Sequence, residues 1–99
     1  MDKKLNLTEL TKLYFWLNNY DYTFTYEPLL DGAQIVVYSE GERLWDAVCH
    51  NGSYGHEDGL LEIMGAIVKE DAGDDVEGWL TADDVIERVL DWEKKNEGV

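Results

Sequence analysis

The hydrophobic pattern of this chain changes its period near residue 20, and that change limits the folds it can adopt. Before it, apolar residues repeat at helical spacing, at Leu10, Leu13, Tyr14 and Leu17. After it, aromatic and polar residues alternate over 22–27, which is typical of a half-buried strand. We therefore predict a helix followed by a strand that ends at Pro28.

A capping pattern marks the start of the first helix. Asn6 and Glu9 stand at capping-box spacing, in which each side chain bonds a backbone amide near the other residue. Leu5 and Leu10 are spaced as a hydrophobic staple around the same cap. The sequence thus predicts a helix that begins at Asn6 and whose apolar face ends before Asn18.

Two further β-rich runs, 33–38 and 43–49, flank a short polar turn. In that turn Gly41 supplies the positive φ that a tight hairpin requires. We predict an antiparallel pair of strands with Glu40 and Gly41 at its tip.

Helical spacing returns in the second half of the chain. Apolar residues at positions 60, 61, 64, 67 and 68 predict a second helix. Residues 70–78 hold five acids and two glycines and are interpreted as an acidic connector. Thr81 and Asp84 then form another capping box, from which a third helix would run to about Glu93.

Together these elements predict one α+β domain over residues 1–99. Its order is a helix, three antiparallel strands and two helices (αβββαα), in two layers. A chain of 99 residues, of which 44% are apolar, can build one core but not two. The single cysteine, Cys49, excludes an internal disulfide, and no signal peptide or long apolar run is present, so we expect a cytoplasmic protein.

The charge of the chain is strongly negative and uneven. There are 22 acidic and 8 basic residues, for a formal net charge of -14. Residues 57–99 carry 14 acids against 4 bases, whereas residues 1–56 carry 8 acids against 4 bases. Such a charge repels nucleic acid and anionic membranes. We therefore expect a cationic or neutral partner and no direct contact with nucleic acid or membrane; the acidic row of the last predicted helix narrows the partner to a basic nucleic-acid-binding protein.

Residue types that catalyse reactions or bind metals do not form a recognised motif. Cys49, His50, His56 and Asp58 offer four ligands, but neither C-x-x-C nor H-E-x-x-H spacing occurs. Ser53 lacks the G-x-S-x-G elbow, and the acidic connector departs from the EF-hand pattern. We expect neither an enzyme nor a cofactor.

The acids of the last predicted helix fall in one row. Asp84, Glu87 and Asp91 are three and four residues apart, which separates neighbouring side chains by about 5–6 Å. Phosphates along a DNA strand repeat at a few ångströms more, so a rigid acidic row can imitate a nucleic-acid backbone. Three tryptophans are candidates for apolar anchors or for the core: Trp45, Trp79 and Trp92.

Three short segments carry a likeness to a known family: residues 21–24, residues 34–37, and the acid-glycine turn at 40–41. In these segments and in the predicted order of elements, the first half of the chain resembles the small acidic anti-CRISPR proteins of Firmicute prophages, which inhibit the type II effector nuclease. Glu42 and Arg43 depart from the family pattern, which has a polar and an acidic residue there.

The resemblance implies a DNA mimic that occupies the protospacer-adjacent-motif site of the nuclease. It implies that acids of the hairpin turn and of the connector contact arginines that otherwise read guanines. With the helical row added, the predicted partner-binding residues are Glu40, Gly41, Glu42, Asp71, Asp74, Asp75, Glu77, Asp84, Glu87 and Asp91.

The leading hypothesis is a phage or mobile-element inhibitor that binds the basic groove of a type II CRISPR nuclease with its guide RNA and blocks target DNA. The first alternative is a non-enzymatic phage or bacterial interaction module that binds another basic protein. The second is a small metal-binding protein that uses Cys49 and His56. The sequence leaves the oligomeric state open.

Overall fold

A computed structural model describes residues 5–69 and 75–97. Within them, two helices and five strands follow one another along the chain. The elements are α1 (Thr8–Asn19), β1 (Phe24–Leu29), β2 (Gly32–Ser39), β3 (Glu42–Cys49), β4 (Leu61–Gly65), β5 (Val76–Leu80) and α2 (Ala82–Glu97), with a 3-10 turn at His56–Asp58 between β3 and β4.

The strands form one antiparallel sheet in which each strand pairs with its neighbours in sequence, in the order β1-β2-β3-β4-β5. The α+β class and the antiparallel sheet are confirmed, but the sheet has five strands where three were predicted. Pro28 does not end the first strand, because it pairs with Ala33 inside β1. β1 is an edge strand, and an edge tolerates a residue that lacks an amide hydrogen.

The predicted second helix over 60–68 is wrong, because that segment contains β4. Leu61 and Ile63 are fully buried on one face of this strand and Met64 is exposed on the other. A short apolar run fits a buried strand as well as a helix, and here pairing with β3 decides for the strand.

The predicted acidic connector is also partly wrong. Its last three residues, 76–78, belong to strand β5 (Val76–Leu80), and residues 70–74 lie outside the described residues. In the described part of the chain, therefore, α2 is the second and last helix, and the order is αβββββα.

Both helices cover the same face of the sheet, and the core lies between the helices and this face. The largest fully buried side chains come from α1, the three middle strands and α2: Leu10, Leu13, Leu17, Ile35, Val37, Cys49, Leu61, Ile63, Val85 and Val89. This is the expected two-layer arrangement, in which the apolar face of a sheet is buried by amphipathic helices.

The predicted cap of α1 forms only in part. Asn6 Oδ1 accepts a hydrogen bond from the Thr8 amide at 3.0 Å, but Leu7 occupies the N-cap position. The Glu9 carboxylate does not accept the Asn6 amide, as a capping box would require, although its Oε2 atom accepts Lys12 Nζ at 3.3 Å within α1. Its Oε1 atom accepts the amide of Ala82, the first residue of α2, at 2.8 Å. A carboxylate at a helix N-terminus is stabilising, so Glu9 ties the starts of the two helices together.

The predicted cap of α2 is confirmed. Thr81 Oγ1 accepts the Asp84 amide at 3.1 Å, and Asp84 Oδ2 accepts the Thr81 amide at 3.0 Å. The helix continues beyond the predicted end at Glu93 as far as Glu97. Lys94 and Lys95 lie in its last turn, where positive charge suits the helix dipole.

A mostly buried ion pair joins α2 to strand β5. Arg88 Nη2 and Nε donate to the two Glu77 oxygens at 2.9 and 3.1 Å, and the two side chains are only 14% and 15% exposed. The hydrogen bonds from Arg88 hold the pKa of Glu77 below its usual value, although burial opposes them. The pair fixes the position of the edge strand against the helix.

We expect Glu77→Gln to lower the free energy of unfolding by about 3 kcal/mol at pH 7, because it leaves the Arg88 charge without its carboxylate. The exposed Glu87, whose side chain has no partner among the described residues, is the control, and Glu87→Gln should change stability by less than about 0.5 kcal/mol. Urea unfolding followed by circular dichroism measures both. Equal effects would contradict the structural role of the pair.

The same pair predicts a pH dependence. Because the pKa of Glu77 is lower in the folded protein, its stabilisation is fully present above the unfolded pKa of about 4.3 and is lost as the pH falls through the folded value. The difference in stability between the wild type and Glu77→Gln should therefore shrink below about pH 4. A constant difference between pH 7 and pH 3 would contradict this linkage.

Candidate functional site

The antiparallel sheet places the acidic β2–β3 turn at one end of the molecule. Gly65, where β4 ends, pairs with Trp45 near the start of β3, and Asp75 directly precedes β5, so residues 66–69 and Asp75 lie at the same end as the turn. We call this the hairpin end. The connection 50–60 and the starts of both helices lie at the opposite end, which we call the loop end.

The predicted hairpin is confirmed. Glu40 and Gly41 form a two-residue turn closed by the pair Ser39 and Glu42. Their φ angles are 53° and 82°, and positive values at both positions are the signature of a type I′ turn. Glu40, Gly41 and Glu42 are all exposed, so this rigid turn presents two carboxylates to solvent.

Two other predicted site residues are exposed near the hairpin end. Asp75 directly precedes β5, which lies two strands away from β3, roughly 10 Å across the sheet. Asp91, on α2, lies beside residues 66–69. Glu87 is exposed one turn earlier on the same helix. Asp71 and Asp74 lie outside the described residues.

Two predicted site residues have internal roles. Glu77 is bound by Arg88, and Asp84 accepts the Thr81 amide at the start of α2. The helical spacing of Asp84, Glu87 and Asp91 is present in α2, but the first of these carboxylates is already hydrogen-bonded. The row available to a partner is therefore shorter than the sequence predicts.

Many other carboxylates have no internal partner. Within residues 5–69 and 75–97, ten exposed acidic side chains form neither a hydrogen bond nor an ion pair: Asp21, Glu27, Glu40, Glu42, Glu57, Asp58, Asp75, Asp83, Glu87 and Asp91. By contrast, three of the six basic residues in the same ranges are paired: Lys12 with Glu9, Arg43 with Asp46, and Arg88 with Glu77. The surface charge is thus largely unneutralised.

The three candidate tryptophans have different environments. Trp45 is 3% exposed and belongs to the core, and Trp92 is partly buried against it. Trp79 is 60% exposed. Only Trp79 is therefore placed as a surface anchor.

Trp79 stacks on Tyr54 at the loop end. Their ring centroids are 5.2 Å apart with an interplanar angle of 16°, and both rings are more than half exposed. The Trp79 amide donates to the Tyr54 carbonyl at 3.3 Å, and Glu62 Oε1 accepts the Tyr54 amide at 3.0 Å. We call this stacked pair the aromatic platform.

A β-bulge produces the platform. Between Leu61 and Ile63 the register shifts, so that Gly78 and Trp79 oppose the single residue Glu62. Trp79 has a φ of 57°, a conformation that is rare for a bulky residue and costs on the order of 1–3 kcal/mol. A Cβ atom on Gly78 would lie 2.3 Å from the Tyr54 Cβ. Gly78 is a sequence signal for a bulge in this strand, and the prediction of a connector over 70–78 did not use it.

We expect Gly78→Ala to separate the two rings, because the new methyl group would overlap Tyr54, and to destabilise the protein by about 2 kcal/mol or more. Gly41→Ala is the matched control, since nothing lies within 4 Å of its Cβ and only the cost of a positive φ, about 1 kcal/mol, applies. NMR shifts of the Trp79 indole and thermal unfolding measure both effects. An unchanged indole shift in Gly78→Ala would contradict the predicted contact.

Of the residues considered for metal binding, Cys49 lies in the core and each histidine has one ring nitrogen in a backbone contact, whereas Asp58 is exposed. Cys49 is fully buried, and this burial, together with the nearby charge of Asp31, raises the pKa of its thiol. His56 Nδ1 lies 2.7 Å from the Ser53 carbonyl, and His50 Nδ1 accepts the Gly52 amide at 3.0 Å. Among the residues that the structure describes, no three His, Cys, Asp or Glu side chains are grouped to hold an ion.

Neither of the two helices in the described ranges is long and apolar enough to cross a membrane. Comparison with known proteins found no matching family model, no matching curated protein and no matching solved structure.

Proposed function

We propose that this protein binds a basic protein through its hairpin end and imitates a nucleic-acid backbone there. The observation that supports this proposal most directly is the set of exposed carboxylates without internal partners among the described residues, in a chain whose net charge is -14. Unpaired charges in water keep their full attraction for a cationic surface, whereas an acid already bound to a cation offers little.

The hairpin end supports this proposal through its rigidity and its charge. Glu40 and Glu42 sit on a two-residue turn whose strands belong to the centre of the sheet. Arg43, the nearest base in sequence, donates to Asp46 at 2.9 Å and is therefore held by another acid. A cationic groove would therefore meet two carboxylates in a fixed geometry. Binding through this turn costs less conformational entropy than binding through a flexible loop.

In its most specific form, the proposal is that the partner is a type II CRISPR nuclease with its guide RNA, and that Glu40 and Glu42 contact the arginines that read the protospacer-adjacent motif. The protein would then be a phage or mobile-element inhibitor of target DNA binding. The likeness of residues 21–24, 34–37 and the 40–41 turn to anti-CRISPR proteins supports this form.

A second candidate is an interaction module that binds a different basic protein. The order of elements favours it, because the family resemblance implies three strands and two final helices, whereas residues 5–69 and 75–97 form five strands and one final helix. The metal-binding alternative receives no support from the packing of Cys49 or the contacts of His56.

Competition with DNA separates the two candidates. If the partner is the nuclease, the protein should bind the nuclease–guide complex only while its DNA site is empty, and the affinity should fall as salt rises. The measurement is biolayer interferometry with and without saturating target DNA, between 50 and about 300 mM salt. Undiminished binding in the presence of target DNA would rule out mimicry at that site.

Charge reversal locates the contact. We expect Glu40→Lys combined with Glu42→Lys to weaken partner binding at least about tenfold, or ~1.4 kcal/mol, because two attractive contacts become repulsive. Glu57→Lys combined with Asp58→Lys changes the net charge equally at the loop end and is the matched control. Equal losses would show that only the net charge matters and that the hairpin is not the contact.

A further inference from the structure

A cleft of about 570 Å³ opens between the C-terminal parts of the two helices, next to the hairpin end. Its lining combines aromatic rings, an aliphatic side chain and carboxylates: Trp16, Tyr20, Tyr22, Leu90, Asp21 and Glu93. The lining contains no basic residue. This combination differs from the open acidic surface elsewhere, because charge and apolar area share one concave site.

The end of α1 builds one wall of the cleft. The Tyr22 amide bonds the Leu17 carbonyl at 3.0 Å, and the Asp21 amide bonds the Asn18 carbonyl at 3.3 Å. With Asp21 at a φ of 61°, these bonds form a Schellman motif. The chain reverses there within two residues, so Tyr20 and Tyr22 both face Trp16.

The Trp16 ring contacts two tyrosine rings in this wall. The Trp16 ring centroid lies 5.3 Å from that of Tyr20 and 5.2 Å from that of Tyr22, with which it is stacked at 29°. Tyr20 is 62% exposed. Its ring is tilted by 46° against Trp16, and an exposed aromatic ring offers a π face to a cationic ligand.

The opposite wall belongs to α2, and one hydrogen bond joins it to the first. The Tyr22 hydroxyl donates to Glu93 Oε2 at 2.6 Å. Burial, and next the bond to Glu93, raise the pKa of Tyr22 above its ordinary value, which itself lies well above neutral pH, so the hydroxyl is a hydrogen-bond donor at neutral pH. Glu93 Oε1 has no partner among the described residues and remains an acceptor for a ligand. Asp21 is likewise exposed and unpaired within these ranges.

We propose that this cleft binds an arginine side chain of the basic partner. A guanidinium is planar, stacks on an aromatic face and donates to carboxylates at the same time. Tyr20 offers the face, Asp21 and Glu93 offer the acceptors, and Leu90 covers the methylene groups. A lysine ammonium is a compact, strongly hydrated charge and would use the carboxylates but not the ring in this way.

The assignment of the arginine to a partner protein rests on the proposed function, but the site itself can be tested without that partner. The probe is the blocked peptide acetyl-Gly-Arg-Gly-amide, titrated into the full-length, nitrogen-15-labelled protein and followed by NMR. The comparison probes replace arginine by citrulline, which has the same shape without the charge, and by lysine.

We expect saturable shifts confined to the Trp16 indole and the amides of residues 20–22 and 90–93. Citrulline should bind at least about tenfold more weakly and lysine several-fold more weakly. Equal binding of citrulline, equal binding of lysine, or unsaturable shifts spread over all the acidic residues would each overturn an arginine site in the cleft.

Two variants test the lining while preserving the fold. Asp21→Asn removes a charge but keeps a residue that tolerates positive φ, and Tyr20→Leu removes an exposed ring. Each should weaken the arginine peptide about fivefold or more. Tyr54→Leu at the loop end is the control and should have no effect. If the variants bind like the wild type, the cleft proposal fails, whereas the hairpin contact is judged separately by the reversal of Glu40 and Glu42.

Discussion

The ion pair between Glu77 and Arg88 is the interaction on which the second half of the structure depends. It holds an edge strand against a helix across the one face of the sheet that both helices cover. Each of these two charges has little access to solvent, so either one alone would be a buried charge without an opposite charge beside it, which is strongly destabilising. With β5 held in this position, the bulge at Trp79 stays paired with β4. The same ion pair positions α2 so that Glu93 accepts the Tyr22 hydroxyl.

A chain of this charge must divide its acids between two uses. A few are structural: Glu9 caps α2, Asp84 caps its own helix, and Glu77 binds Arg88. The larger group is exposed without an internal partner, and it increases repulsion within the folded state. Such repulsion is relieved when a cationic surface binds, which is why unpaired carboxylates at a rigid turn argue for a partner more strongly than net charge alone.

The surface features are separated by the direction of the strands. Because the sheet is an antiparallel meander, the hairpin turn, residues 66–69 and the cleft between the two helices share one end, while the aromatic platform lies at the other. The acidic end and the cleft together fit a partner that presents basic side chains. The platform adds an exposed apolar surface that is held by strained backbone at Trp79, and strain of this kind commonly accompanies a binding site.

The sequence by itself determined the features that depend on neighbours in the chain. The α1 periodicity, the hairpin at Glu40 and Gly41, and the cap at Thr81 and Asp84 are local, and each was predicted correctly. Only the tertiary structure decided the features that depend on distant pairing. Pairing with β3 makes 61–65 a strand. Glu9 accepts the amide of Ala82, 73 residues away, and Glu77 binds Arg88 on α2. The spacing of acids in the sequence shows which of them share one face of a helix. Whether a carboxylate is free to bind a partner depends on hydrogen-bond donors that are distant in the sequence.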